Sequence, residues 1–219
     1  MGIIEKKEYF CVNSSKSGQI YYPKSITTKR ITKMKNALKF YKDFPKEGIV
    51  FVDIIPLLQD KKIFAQLIDE IGSRLTAPNI AAPEARGFLF SAPLMIAKEE
   101  VQSIIPIRKS GKLPYNEGDL CDVEIEKEYG SDHLFYRLSD IAAAKADGDE
   151  IHISILDDLL ATGGTAEGIA ESMMAQKIVK DGKEYKVIID EFIFLVELDF
   201  LKGAERLEKI APVKSIIHL

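Results

Sequence analysis

Between Ile153 and Ala166 the chain reads I-S-I-L-D-D-L-L-A-T-G-G-T-A. This stretch limits the possible folds more than any other. An apolar, β-branched run ends in two adjacent acids, Asp157 and Asp158. A turn of Ala161, Thr162, Gly163 and Gly164 follows, and a helical pattern opens at Thr165. That order predicts a strand, an acidic tip, a small-residue loop and a helix N-terminus. Free backbone N–H groups and the positive end of the helix dipole then converge on one point, which suits a phosphate. Gly163 and Gly164 allow a phosphate to approach the backbone. The neighbouring carboxylates suit hydroxyl groups or a metal-bound ligand. No G-x-x-x-x-G-K-[ST] occurs, and the acids precede the glycines rather than follow a G-x-G-x-x-G.

The rest of the chain alternates in a compatible way. Ile63, Phe64, Leu67, Ile68, Ile71 and Leu75 lie on one helical face within residues 60–75. Short apolar runs at 80–82, 101–107, 151–156 and 187–198 predict strands, and 87–98, 140–146, 165–179 and 200–210 predict helices. Strands alternating with helices imply a parallel sheet covered on both faces, with ligands beyond the carboxyl ends of its strands. Residues 110–130 hold Gly111, Pro114, Gly118 and many charges, and so predict an exposed excursion. Part of it suits a β-ribbon, with 133–138 as one arm.

The length of 219 residues fits one α/β domain with an extension. Residues 1–39 carry Lys6, Lys7, Lys16, Lys24, Lys29, Arg30, Lys33 and Lys35 and few long apolar stretches. They read as a basic extension partly ordered against the body, with a cationic arm for an anionic partner as the competing reading. The net charge of −4 gives no general pull toward nucleic acid or membrane. Cys11 and Cys121 are too few for a disulfide framework, no apolar run reaches membrane-spanning length, and residues 1–10 lack a signal-peptide core. A cytoplasmic location is the expectation. His133, His152 and His218 show no ligand spacing and read as structural.

Further segments occur in a telling order. F-P-K-E-G-I-V-F spans 44–51, E-A-R-G-F-L-F spans 84–90, R-K-S-G-K-L-P spans 108–114, and E-Y-G spans 128–130. Ending in D-D-L-L-A-T-G-G-T-A, this series resembles the type I phosphoribosyltransferases, and among them the adenine phosphoribosyltransferases. The resemblance runs from Phe44 to about Arg206. It implies a central parallel sheet flanked by helices in a domain of residues 40–219, with a mobile lid over 108–138. The implied donor is 5-phosphoribosyl 1-pyrophosphate (PRPP), the acceptor adenine and the product AMP, as in purine salvage. It also implies Mg²⁺ bound through PRPP rather than by the protein directly, and a homodimer.

The resemblance assigns roles residue by residue. Asp157 and Asp158 take the ribose hydroxyls, and Ala161, Thr162, Gly163, Gly164 and Thr165 wrap the 5-phosphate. Arg86, Lys109 and Lys112 face pyrophosphate, with a non-proline cis peptide near Glu84–Ala85. Phe51 stacks on the base opposite Leu159, and the backbone near Val50 reads the base edge. Glu128, with Tyr129 beside it, manages a proton at the base, and Glu126 is the alternative acid. The sequence departs from the family pattern at Val52, commonly basic, at Ile55, commonly a small hydroxyl residue, and at Pro83. The lid is also longer than usual. Two alternatives stay open here: transfer to hypoxanthine, guanine or another purine, and a PRPP-sensing regulator that binds nucleic acid.

Overall fold

The computed structural model describes residues 24–126 and 131–219. The chain begins with helix α1 (Lys24–Ala37), the hairpin strands β1 (Lys39–Lys42) and β2 (Val50–Asp53), and helices α2 (Ile55–Leu58) and α3 (Lys61–Gly72). Next come β3 (Asn79–Pro83), α4 (Arg86–Ala97), β4 (Ser103–Lys109), β5 (Leu120–Glu126), β6 (Ser131–Arg137) and α5 (Leu138–Ala143). The last part holds β7 (Glu150–Leu160), α6 (Gly164–Met174), β8 (Ile178–Lys180), β9 (Lys183–Glu197), α7 (Gly203–Leu207) and β10 (Val213–His218). The main sheet runs β10-β9-β7-β3-β4-β6-β5. Its first five strands are parallel, and β6 and β5 add an antiparallel ribbon at one edge.

Residue alternation explains why the sheet is covered twice. On β7, Ile151, Ile153 and Ile155 enter one apolar layer with Ile141 of α5, Ile169 and Met173 of α6, and Leu207 of α7. Leu156 enters the opposite layer, with Leu57 of α2, Leu67 and Ile71 of α3, and Phe90 and Leu94 of α4. Such strands, buried on both faces, belong to parallel sheets. Small residues let α4 lie close to the sheet. A Cβ on Gly87 would stand 3.1 Å from the Leu156 carbonyl oxygen and 3.3 Å from Ala82 Cβ. Helix α3 starts where the Asp60 carboxylate accepts the N–H groups of Lys62 (2.8 Å) and Ile63 (3.1 Å), a cap worth about 1 kcal/mol.

Several elements differ from the sequence expectation. Residues 24–37, inside the stretch read as a basic extension, form α1, and Met34 is 0% exposed in the layer built by α3 and α4. The packed body therefore starts before residue 40. Strand β7 continues through the two acids to Leu160, because Asp157, Leu159 and Leu160 still pair with Phe194, Val196 and Glu197 of β9. The helix expected over 165–179 stops at Met174, and 178–180 returns as β8 against β9. The helix expected over 200–210 is a 3₁₀ turn (Asp199–Leu201) and then α7, separated by Lys202 at φ 55°.

Candidate active site

The cradle forms where β7 turns into α6. Gly163 is the residue before the helix and sits at φ 81°. The first helical bond runs from the Glu167 N–H to the Gly163 carbonyl at 3.0 Å. The amides of Gly164, Thr165 and Ala166 therefore have no helical acceptor and face outward. They open on a cleft of about 100 Å³ lined by Asp157, Leu159, residues 160–166 and Phe194. The structure thus gathers Asp157, Leu159, Ala161, Thr162, Gly163, Gly164 and Thr165 in one place.

The two glycines are not equivalent. A Cβ on Gly163 would lie 3.0 Å from the Gly203 carbonyl oxygen and 3.3 Å from Leu207 Cγ, in a left-handed backbone that L side chains rarely adopt. A Cβ on Gly164 would meet only the Arg206 guanidinium, at 3.5 Å. Gly163 is therefore needed by the fold itself, in addition to any ligand. Gly203 is tighter still: a Cβ there would come within 2.3 Å of the Ala161 carbonyl oxygen. Helix α7 backs the cradle loop through this contact. Nothing in the local sequence pattern around Gly203 revealed it, because the partner lies more than forty residues away.

Asp158 is 4% exposed. Its Oδ2 lies 3.0 Å from Arg86 Nε, out of line for a hydrogen bond, so this buried oxygen has a charge partner and no donor. The Asp157 Oδ1 accepts the Asp158 N–H at 2.8 Å. Burial pushes the Asp157 carboxyl well above the usual range, and the neighbouring Asp158 charge adds to it. Burial also raises Asp158, against the pull of Arg86. The pair thus favours a ligand that brings positive charge or hydroxyl donors.

Arg86 joins the two halves of the site. Its guanidinium carbon stands 5.6 Å from the centre of the Phe51 ring. Phe51 also meets the Phe44 ring edge-on, with centroids 5.2 Å apart. Phe51 is thus not ordinary core; it lies on hairpin β1–β2, half-buried beside a cation. Val50 begins the same strand and is 50% exposed. The hairpin has only two strands, so β2 keeps one open edge whose N–H and C=O groups face outward. Val52 points into the core at 4% exposure, which explains an apolar residue there. Leu159 sits on the cradle wall, half-buried against the α3–α4 layer.

The Glu84–Ala85 peptide is cis. The Glu84 N–H bonds the Ile107 carbonyl at 2.8 Å, and its carboxylate accepts from Arg108 Nε. Burial would raise the Glu84 carboxyl, but Arg108 and the Lys109 amide outweigh it and hold it below the usual range. Lys109 therefore ends β4 beside this turn. Lys112 follows in an exposed turn closed by its own N–H to the Lys109 carbonyl at 3.2 Å, and it does not line the cradle. Glu128 and Tyr129 lie outside the described residues. The strands on either side of them do not: β5 lays Val123 and Ile125 over α6, and a Cβ on Gly168 would be 3.5 Å from Val123. The ribbon that leads to Glu128 therefore crosses the cradle helix.

Each histidine pairs with an aspartate: His133 with Asp122 and His218 with Asp199 at 2.8 Å, His152 with Asp190 at 2.7 Å. Glu197, Asp199 and His218 are close enough to share an ion, but they do not line the cradle.

This fold and site are those of a phosphoribosyltransferase-type α/β protein. The crystal structure of adenine phosphoribosyltransferase from Thermoanaerobacter pseudethanolicus is similar with a TM-score of 0.70 and 37% identity, covering 86% of this chain and 99% of that one. The Saccharomyces cerevisiae enzyme, complexed with D-2,5-dideoxy-2,5-imino-altritol 1,6-bisphosphate and adenine, gives 0.67 and 33%, with 86% and 99% covered. In sequence, adenine phosphoribosyltransferase of Maridesulfovibrio salexigens is 39% identical over 85% of this chain and 99% of its own length. No protein-family model matches the chain. The chain belongs to the adenine phosphoribosyltransferase family.

Proposed function

We propose that this protein transfers a 5-phosphoribosyl group from PRPP to adenine, releasing pyrophosphate and forming AMP in purine salvage. The observation that carries this reading is the acid pair beside the open helix N-terminus, joined through Arg86 to the Phe51 ring. The relatives at this identity bear the same activity in their names.

In the proposed reaction the adenine N9 forms a bond to the ribose anomeric carbon as the bond to pyrophosphate oxygen breaks. The electron pair leaves with pyrophosphate, and the N9 proton passes to a base. The cradle amides of 164–166 hold the 5-phosphate, and Asp157 and Asp158 accept from the ribose hydroxyls. The buried, donor-free Asp158 Oδ2 also fits a hydroxyl or water polarised by a cation, so the acid pair suits Mg²⁺ carried in by PRPP. Such an ion supplies charge neutralisation on the leaving pyrophosphate. Arg86 faces Asp158 through Nε, which leaves its amino groups for pyrophosphate, with Lys109 and Lys112 as the loop cations. Phe51 and Leu159 sandwich the base, and the open edge of β2 near Val50 reads it. Glu128 is the proton acceptor, with Tyr129 packing over the reacting centre.

The active form we propose is a cytoplasmic homodimer. Helix α4 exposes Leu89, Met95 and Ile96, the last at 89%, and a second copy would cover them. Among the described residues, no helix is long and apolar enough to cross a membrane. The test is pyrophosphate release from PRPP with adenine and Mg²⁺. Release is expected from the parent and at least a hundredfold less from Asp157→Asn/Asp158→Asn, which loses charge-assisted hydrogen bonds of about 1.5–3 kcal/mol each. Equal rates would remove the acids from the donor site.

A further inference from the structure

The cradle is shaped for a phosphate dianion, yet its lining holds one charged side chain, the acid Asp157. Arg86 is already turned to Asp158 and Phe51. A cation does stand beside the cradle, next to Gly164 but outside the lining itself, and it comes from α7. Arg206 lays Nε and Nη2 against the same Glu167 carboxylate oxygen. Its third nitrogen, Nη1, has no hydrogen-bond partner among the described residues, and it stands 3.5 Å from where a Cβ on Gly164 would be. A helical Cβ leans toward the N-terminus of its helix. At the first residue of α6, that direction leads to the mouth where the free amides open. Nη1 therefore stands beside Gly164 of the cradle wall, just outside the residues that line the cleft, with one edge of its guanidinium fixed by Glu167.

Neighbouring residues account for this placement. The missing side chain at Gly203 lets α7 press against the Ala161 carbonyl, and Arg206 follows one helical turn later on the side facing α6. Glu167 is itself anchored in the first turn of α6 by its N–H to Gly163. The positioning acid and the cradle are thus one rigid unit.

We propose that Arg206 is a substrate-binding residue that donates Nη1 to the 5-phosphate of PRPP, and that Glu167 is its positioning residue. This rests on the phosphoribosyl-transfer reading above and adds a cation to a cradle otherwise made of neutral amides. A guanidinium supplies a directed, charge-assisted bond to a phosphate oxygen. Arg206 is half-exposed, so solvent screening trims the effect to about tenfold.

Calorimetry tests this with two probes, ribose 5-phosphate and inorganic pyrophosphate, on the parent, Arg206→Gln, Arg206→Lys and Glu167→Gln. The expected result is a loss of about tenfold for ribose 5-phosphate in Arg206→Gln, with pyrophosphate unchanged. KM for PRPP should rise alike, and kcat at saturating PRPP should stay within about twofold. Arg206→Lys should restore part of the loss, and Glu167→Gln should fall between. Unchanged ribose 5-phosphate affinity in Arg206→Gln, beside a parent that makes AMP, overturns the role of Arg206 alone. An equal loss for both probes, or a KM increase for adenine of the same size, also overturns it, since that marks a general structural defect. A parent that binds neither ribose 5-phosphate nor PRPP overturns the underlying reading as well. If Arg206→Gln fails to fold, Glu167→Gln decides: normal ribose 5-phosphate affinity there contradicts the proposal.

Discussion

Replacing Gly203 with alanine puts one methyl group where the structure has no room. The new Cβ would lie 2.3 Å from the Ala161 carbonyl oxygen and 2.8 Å from Leu160 Cδ1. Carbon–oxygen contacts settle near about 3.3 Å, so the Ala161 carbonyl must retreat by about 1 Å or α7 must lift away. Overpacking of this kind costs about 1–3 kcal/mol, partly offset by about 0.5–1 kcal/mol from the lower chain entropy of alanine in a helix. The net cost is up to about 2.5 kcal/mol, and at about 2–4 °C per kcal/mol for a chain of this size the melting temperature should fall by up to about 10 °C. The displaced residue belongs to the cradle loop, and if that loop holds the 5-phosphate as proposed, a shift of about 1 Å in a binding group costs up to about a hundredfold. Gly203→Ala should therefore raise KM for PRPP about 10- to 100-fold and leave KM for adenine within about threefold. Thermal melts and steady-state kinetics read both effects. A variant with parental melting temperature and parental KM for PRPP would refute the view that α7 sets the cradle's shape.

Two further outcomes follow from the same geometry. Gly164→Val should fold normally, because only the movable Arg206 side chain lies nearby, and should lose at least tenfold in PRPP affinity by calorimetry; Gly163→Val should instead melt lower, through its φ of 81° and the Gly203 contact. Asp157→Asn should raise the melting temperature of the ligand-free protein at pH 7.5 while weakening PRPP binding at least tenfold. The sign comes from the raised carboxyl: the ionised form is disfavoured in the fold, so the parent gains stability as pH falls through that raised range and the gap to the variant closes.

What the sequence revealed depended on how local the determinant was. The acid pair, the small-residue loop and the start of α6 are contiguous, and each residue type is demanded by backbone geometry or charge, so they were legible together. The strand–helix alternation was legible because buried parallel strands are apolar on both faces. The β8–β9 hairpin could have been found: Lys180-Asp181-Gly182-Lys183 places Asp-Gly between two strands, with φ of 51° and 75° at the turn. Helix α1 was hidden because, among its described side chains, Ile31, Met34 and Ala37 mark its buried side amid lysines. The local pattern puts the acids beyond the strand, whereas their pairing with β9 carries the strand past them, and pairing of that range is invisible in a local pattern. Gly203, Glu167 and Arg206 escaped for the same reason: each matters through a contact with a distant segment.

Choice of base tests the account most directly. Adenine offers an amino donor at C6 and an acceptor at N1, whereas hypoxanthine and guanine offer the reverse. The open edge of β2 near Val50 can meet the adenine pattern with main-chain groups, and the inward-facing Val52 removes one donor for a 6-oxo group. Sites built on such bonds discriminate by up to about 10⁴–10⁵, because the wrong base leaves buried polar groups unpaired. The decisive measurement is kcat/KM for adenine, hypoxanthine and guanine with Mg²⁺ and saturating PRPP, with the nucleotide product identified. The expected result is AMP formation preferred by at least about a hundredfold; equal or higher kcat/KM for a 6-oxopurine would contradict the account.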